Sequence, residues 1–441
     1  MYRNFLSGVW ALCLLTSAAC GVPESSASTI TPDSPVLSVG FMGCYRGRLP
    51  LEDFVRLHPD IPLKEVPWGR NPHGCSDKPL PTRHEDLPDV IHITAGRYSD
   101  DLIQLADRGL IEPLDEWFKI LGLDPKDFFP NALDAVTYRG HIWALPHHAI
   151  FLVLRGDRRL VPATSTDSFG SWEGLLRSAQ ELAAGKENRV AFSVPLSAAS
   201  FAEYITLASA GSGMGLADPA WVEGAPFRDA MAMIATYREK GILDNRQMNK
   251  PLSRESTAVL GLDFLDSVHP ETTYAVYPVP TRLRAGDTEA AGSAPNGLME
   301  AFAVKSGSSR TDSALTAFLQ WLVSTDTEWR VFEKTNELKP NVEWLFDTVH
   351  VPLRDSVLKS IDFEYAARKF PDYPTVVAWC RRTVFPKRPP AIETAVWTRV
   401  DQAIDYRQPG ADWEKQMALL KRQLLQAVRT TPVESAAYSR Y

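Results

Sequence analysis

The sequence predicts an α/β protein in which helices cover largely parallel sheets, and three observations carry that prediction. Short apolar runs of strand length alternate with longer segments whose apolar residues recur at helical spacing. Several of those helical segments carry a cap at the start and a glycine at the end. The chain is also long: 441 residues, 44% hydrophobic and 23% charged, provide ample core for two or three compact units or one two-lobed body. This composition excludes collagen, disorder and a polytopic membrane protein. With 47 basic against 54 acidic side chains and a formal charge of −7, the chain lacks the cationic surplus that neutralises phosphates, so nucleic acid is not expected as a partner.

Strand-like runs fall at Val36 to Gly40, Asp89 to Ile93, Ile142 to Leu145, Phe151 to Leu154, Val190 to Val194, Thr273 to Tyr277 and Ala301 to Val304. Between them, Leu51 to His58 has a short helical pattern. Ser99 is placed to cap a helix that opens on Asp100 and Asp101, buries Leu102, Leu105 and Ala106, and stops at Gly109. Ser171 opens a second helix bearing Trp172, Leu175, Leu176, Ala179 and Leu182 up to Gly185. Phe227, Ala230, Met231, Ile234 and Tyr237 repeat along one helical face that ends at Gly241. Ala314, Leu315, Phe318, Leu319 and Leu322 predict another helix, and Trp413, Met417, Leu420 and Leu424 one more. Strands separated by helices imply α/β layers.

The N-terminus addresses the compartment. Arg3 precedes an apolar run from Phe5 to Thr16, which is shorter than the roughly 20 residues of a bilayer-spanning helix and reads as a signal peptide over residues 1–19. The run ends in Ser17, Ala18, Ala19 and Cys20, similar to a bacterial lipoprotein signal with Cys20 as the lipidated residue. Cleavage at the same place with Cys20 unmodified is the competing reading. Residues 20–35, rich in Ser, Thr and Pro, read as a lipid-anchored flexible tether. The product is expected to be exported, either anchored to the outer face of the cytoplasmic membrane or in the periplasm. In that oxidising setting Cys44 and Cys75, both in loops near the first strand, are candidates for a disulfide, leaving Cys380 as a free thiol among apolar neighbours. Zinc is the rival for Cys75 beside His73 and His84, but neither C-x-x-C nor H-E-x-x-H spacing is present, and no metal or other cofactor is expected.

Catalytic patterns are weak. Gly211, Gly213 and Gly215 follow a helical segment instead of opening one, and no nucleophile elbow or phosphate-loop spacing occurs. The carboxylate pairs Asp100–Asp101 and Asp115–Glu116 stand at helix starts, where the helix dipole accounts for them. The chain is therefore read as a non-enzyme.

Four segments then carry a resemblance: P-D-V-I at Pro88 to Ile91, L-A-D-R-G-L-I-E-P-L-D-E-W at Leu105 to Trp117, Y-R-G-H-I-W-A-L-P at Tyr138 to Pro146, and S-W-E-G-L at Ser171 to Leu175. In order and spacing the chain resembles the extracellular solute-binding proteins of the sugar type, the receptors of ABC importers. The resemblance implies a two-lobed periplasmic-binding-protein-like fold: two mixed sheets flanked by helices, with a hinge and a cleft between the lobes. It places an N-terminal lobe at 36–147 plus 297–343 and a C-terminal lobe at 148–296 plus 344–441. The chain would cross near Leu145 to Ala149, near Asn296 to Glu300 and near Glu337 to Glu343. Expected partners are a small solute, most plainly a sugar, and the permease subunits of an ABC importer, with the receptor acting as a monomer. A secreted hydrolase, and a sensor or adhesion lipoprotein on the same scaffold, are the alternatives.

Sugars present hydroxyls around flat apolar faces, so their sites combine planar rings with a few fixed polar groups. By the resemblance, Tyr45 and Arg46 follow the first strand, Arg97 and Tyr98 follow the strand ending near Ile93, and His147 follows the crossing segment. Phe201 and Trp397 match positions of stacking aromatics. Asp263, in the run Gly261 to Phe264, stands where many relatives carry an aromatic, a departure from the usual oligosaccharide site. The basic cluster Arg381, Arg382, Lys387 and Arg388 is read as a solvated face.

Overall fold

The computed structural model describes residues 36–42, 49–68, 70–71, 76–77, 82–96, 100–161, 169–186, 189–194, 198–210, 224–243, 258–264, 274–277, 279–287, 297–308, 312–337, 351–360, 372–383, 385, 422 and 426. The expected signal peptide, the tether and the helix expected around Trp413 to Leu424 lie outside the described residues.

The chain opens with β1 (Leu37–Met42), α1 (Leu51–Leu57), β2 (Leu63–Trp68) and β3 (Val90–Gly96). Helices α2 (Asp100–Asp107), α3 (Asp115–Ile120) and α4 (Pro130–Val136) lead to β4 (Leu145–Asp157), a strand of 13 residues. Next come α5 (Trp172–Ala183), β5 (Val190–Ser193), α6 (Ala198–Ala210), α7 (Ala225–Glu239), β6 (Ala258–Phe264) and β7 (Tyr274–Tyr277). The last described stretch holds β8 (Gly297–Val304), α8 (Ser313–Leu322), α9 (Thr325–Glu337), β9 (Val351–Pro352), α10 (Asp355–Ser360) and α11 (Tyr373–Cys380).

Local chemistry accounts for the clearest helices. The Ser171 hydroxyl accepts the Gly174 N–H at 3.1 Å, satisfying one of the open amides at the start of α5. Asp312 does the same for α8, accepting from Ala314 and Leu315 at 2.8 and 3.2 Å. Gly185 and Gly241 follow α5 and α7 at φ 70° and 69°, a left-handed turn that a side chain would strain.

Among the described residues, nine strands connect through β4, which belongs to two sheets at once. In the first, the order is β2, β1, β3, β8 and the N-terminal half of β4; β1 runs parallel to β2 and β3, while β8 runs antiparallel to β3 and β4. In the second, the C-terminal half of β4 pairs antiparallel with β6 and β7, and β6 pairs parallel with β5. Phe151 is the last β4 residue to pair with β8, opposite Gly297, and Leu152 is the first to pair with β6, opposite Phe264. The two separate runs expected at Ile142 to Leu145 and Phe151 to Leu154 thus resolve differently. His141–Ile142 forms a two-residue hairpin with Thr137–Tyr138, and the later run is the middle of one long strand.

The described parts of the sheets bury three apolar clusters. Period-two alternation splits the first sheet: Ile91, Ile93, Met299, Ala301 and Ala303 face a cluster with α2 and α4, while Val39, Val90, Phe302 and Val304 face one with α1, α3 and α8. The second sheet buries Leu260 and Leu262 with Trp172, Phe192, Phe201, Tyr204 and Phe227. Val351, Leu353, Val357, Tyr373 and Val377 join the cluster around Ile91 and Ala301, so the described residues from 351 to 385 pack mainly on the first sheet, although the resemblance assigns the segment from 344 on to the second lobe. Strand β9 explains why: it pairs with Ala149 and His148, in the first-sheet half of β4.

Candidate functional site

Strand direction focuses one place in the molecule. Because β1 and β3 are parallel neighbours, with Val39 opposite Val90, their carboxyl ends leave the same edge of the first sheet. Gly96, the last residue of β3, is level with Leu298 of β8, and Leu298 is level with Ile150 of β4, one residue before the last pairing with this sheet ends. From the other side, β5 and β6 run parallel with Ser193 opposite Gly261, and Phe264 at the carboxyl end of β6 meets Leu152. The parallel strands of both sheets therefore aim their carboxyl ends at the same short stretch of β4. In open α/β sheets ligands bind in the crevice outside such ends, at the point where the topology switches.

The predicted site residues divide accordingly. Tyr45 and Arg46 follow the carboxyl end of β1 in sequence, and Arg97 and Tyr98 directly follow Gly96; all four lie outside the described residues, as do Trp397, Cys20, Cys44 and Cys75. Asp263 is the penultimate residue of β6, with its backbone opposite Val153, one position from the switch. His147 is 1% exposed and turned into the core of the first lobe, its Nε2 3.3 Å from the Leu322 carbonyl. Cys380 is a free thiol, fully buried, and burial pushes its pKa up.

Phe201 requires a correction. Its ring is 1% exposed, meets Trp172 edge-on at 5.5 Å and lies nearly parallel to Phe192 at 6.1 Å. Protein occupies the ring, so it is not available to stack on a solute. The reason is helical spacing: Phe201, Tyr204, Ile205 and Ala208 form one stripe of α6, and the whole stripe is buried in the second core.

Beyond His147, sequence reasoning misses buried polar groups near the junction. A register shift in β8 between Glu300 and Ala301 leaves Pro146 opposite Ala301 and His148 opposite Glu300, so His147 is the extra residue of a β-bulge. The bulge turns both histidines to the face that carries Phe302. The His147 ring is 5.4 Å from Phe302 and 4.1 Å from His148, and His92 of β3 packs on Phe302 from the other side at 5.2 Å. Glu300, on the same face, is buried as well. A period-two reading of β4 would send one of two adjacent histidines outward; no signal in one sequence marks the bulge.

A second buried network ties the elements behind this face. Arg354, after β9, donates to Asp127 at 3.0 Å, to Glu328 of α9 at 3.1 Å and to the Val323 carbonyl at the end of α8. Burial would raise Asp127, but hydrogen bonds from Ser356 and Arg354 hold its carboxyl below the usual range. Glu328 goes the other way: burial outweighs Arg354 and pushes it up to about 8. At the far end of β4, Asp157 is fully buried; burial would raise it, and the side-chain and backbone N–H groups of Arg159 hold it low.

Among the described residues no group of three or more His, Cys, Asp or Glu is gathered as a metal site, and no helix is long and apolar enough to cross a membrane.

No protein-family model and no curated sequence matches the chain. Solved structures do. Maltose-bound MalE3 of T. maritima superposes with a TM-score of 0.60 at 14% identity, over 88% of this chain and 99% of that one. The likeness shows the fold: α/β, with mixed sheets flanked by helices in a two-lobed periplasmic-binding-protein-like arrangement.

Proposed function

We propose that this chain is an extracytoplasmic solute-binding lipoprotein that captures a small solute, a carbohydrate before other classes, between its lobes and delivers it to an ABC importer. The observation that carries the reading is the convergence of β1, β3, β5 and β6 on the residues of β4 where the two sheets meet. A site there is bounded by both lobes, so closing them removes the solute from water without covalent chemistry. The fold shared with maltose-bound MalE3 supports a sugar as the first ligand to test. Tyr45, Arg46, Arg97, Tyr98, Asp263 and Trp397 are the proposed contacts. The lipid anchor at Cys20, the export route, the permease partner, the monomeric state and the Cys44–Cys75 bridge belong to the same proposal and rest on the sequence.

The test is a thermal-shift screen of maltose, other mono- and disaccharides, polyols, uronic acids and peptides, with product analysis of each hit. A bound solute at one hundred times its Kd stabilises the folded chain by about 2.7 kcal/mol. A saturable rise in Tm with the solute recovered intact supports the receptor. Turnover of a chromogenic glycoside, or no rise with any solute, overturns it.

A further inference from the structure

Two carboxylates share one guanidinium beside β9. Arg354 and Glu328 are 9% and 1% exposed, and Arg354 bonds both Glu328 and Asp127. One positive charge compensates one carboxylate, so the hydrogen bonds decide which of the two is the anion. Asp127 receives three donors: Arg354 Nε–H at 3.0 Å, the Ser356 backbone N–H at 2.6 Å and the Ser356 hydroxyl, which itself accepts from Arg354 Nη2 at 3.2 Å. Glu328 receives one, from Arg354 Nη1 at 3.1 Å to Oε1, and its Oε2 is buried with no partner among the described residues. The donors therefore assign the charge to Asp127 and a proton to Glu328. Ionised, Glu328 would need donors at Oε2 that this packing does not supply, and only water can bring them.

We propose that Glu328 is a proton-held catch: as a neutral acid it keeps the first turn of α9 packed on Arg354 and β9, and on losing its proton it opens that contact to water. Of the groups that face it, Arg354 favours the charged form and Asp127 opposes it. Helix α8, packed alongside, has no titratable side chain. Around the cluster, Asp326 and Arg330 of α9 pair with each other and Arg330 with Asp53, Asp355 of α10 pairs with Arg381, Lys359, Asp124 and Lys126 are exposed, and His147 sits on the Leu322 carbonyl at the end of α8. The opening reaches the lobe junction. Strand β9 has two residues, paired with Ala149 and His148 of β4 ahead of the Phe151–Leu152 switch, and the chain just after it is fastened by the Phe129 N–H on the Leu353 carbonyl and by Arg354 on the Val323 carbonyl. Alkali thus loosens one edge of the strand that both sheets share. That this bears on solute capture rests on the function proposed above; the catch itself does not, and its test uses no solute, so either can fail alone.

The experiment follows the full chain, free of added solute, from pH 6.5 to 9.5. Difference infrared spectra report the carbonyl stretch of a protonated carboxylic acid, and methyl NMR reports Val351, Leu353 and Val357 beside the cluster, with Val259, Leu260 and Leu262 of the second core as controls. The acid stretch is expected at pH 6.5 and lost with a midpoint of about 8. The three methyl groups beside the cluster shift with that same midpoint, while the controls stay in place. In Glu328→Gln the amide keeps an oxygen for Arg354 but does not titrate, and both transitions are lost. No acid stretch at pH 6.5, a stretch lost without methyl shifts, or methyl shifts that persist in Glu328→Gln each overturn the proposal. Agreement of the two midpoints is measured on the native chain alone, so midpoints more than about one pH unit apart overturn it even if the Gln variant does not fold.

Discussion

Replacing Glu328 with Gln tests the electrostatics of the buried network, because its contribution has the opposite sign from that of most carboxylates. The side chain is 1% exposed, its Oε1 accepts from Arg354 at 3.1 Å, and burial raises the carboxyl to about 8. In the unfolded chain the group returns to roughly 4.3. Between those values the folded state holds a proton that the unfolded state has released, so stability falls as pH rises, by up to about 1.4 kcal/mol per pH unit. The contribution is complete below the unfolded value and is lost as pH climbs through the folded one. From pH 5 to 8 the loss is about 2–4 kcal/mol. The amide introduced by Glu328→Gln keeps an oxygen for Arg354 but cannot titrate. Urea unfolding of both chains at pH 5, 6.5 and 8 gives the difference directly, with all other groups cancelling. The native chain should lose about 2–4 kcal/mol relative to the variant across that range. Parallel profiles would refute the buried-proton account.

Four other outcomes follow from the packing. Phe201→Ala leaves a cavity beside Trp172 and Phe192 and should cost about 3–5 kcal/mol in denaturant unfolding, with solute affinity unchanged in the folded fraction. Gly40→Ala puts a Cβ 2.5 Å from Pro88 Cγ and 3.0 Å from Trp68 Cγ, and overpacking of that kind costs about 1–3 kcal/mol, read as a lowered Tm. Asp157→Asn should flatten the acid limb of the stability profile: the folded carboxyl is held low by Arg159, so its contribution is present above the unfolded value and lost as pH falls through the folded one. Asp372→Ala removes the acceptor for the Val276 N–H and the partner of Arg158, and should speed amide exchange at Val276 while leaving the first-lobe core protected.

What can be read from the sequence follows the range of the interactions involved. Ser171 with Gly185, and the Phe227 to Tyr237 stripe with Gly241, bracket α5 and α7 because caps and helical faces are set by residues a few positions apart. The runs in β1, β3, β5 and β8 are equally local. Strand β6 is not legible in this way: Gly261 and Asp263 interrupt its apolar pattern, and only pairing with β4 and β5 makes it a strand. The bulge at His147 is set by the partner strand and leaves no mark in its own residues. Phe201 shows the same limit at a side chain, since spacing identifies the apolar face of α6 but not whether the second core or a solute covers it. The groups that Arg354 joins come from segments 26 to 227 positions away, a convergence that spacing along the chain does not encode.

Sharing one strand between two sheets also constrains how the lobes can move. Along β4 the change of partner falls between the last pairing with β8 and the first with β6, at Phe151 and Leu152. A second tie runs beside it. Asp372, at the start of α11, accepts from Val276 of β7 at 3.1 Å and from Arg158 at 2.8 Å, the first of these on the second sheet and the other just past the end of β4. Tyr373, Val377 and Cys380 of the same helix are buried in the first-lobe cluster, and Asn131 of α4 donates to the Cys380 carbonyl at 2.8 Å. Helix α11 thus spans the joint as a strut: Asp372 bonds the second sheet, and Trp379 packs against the apolar clusters of both lobes. Polar bonds at a part-exposed edge yield more readily than a buried core, so lobe movement should break the Asp372 end first. On the proposed function, a solute would shift that equilibrium only by its differential affinity for the two arrangements, and the strength of the Asp372 contact would set how much of that affinity the movement consumes.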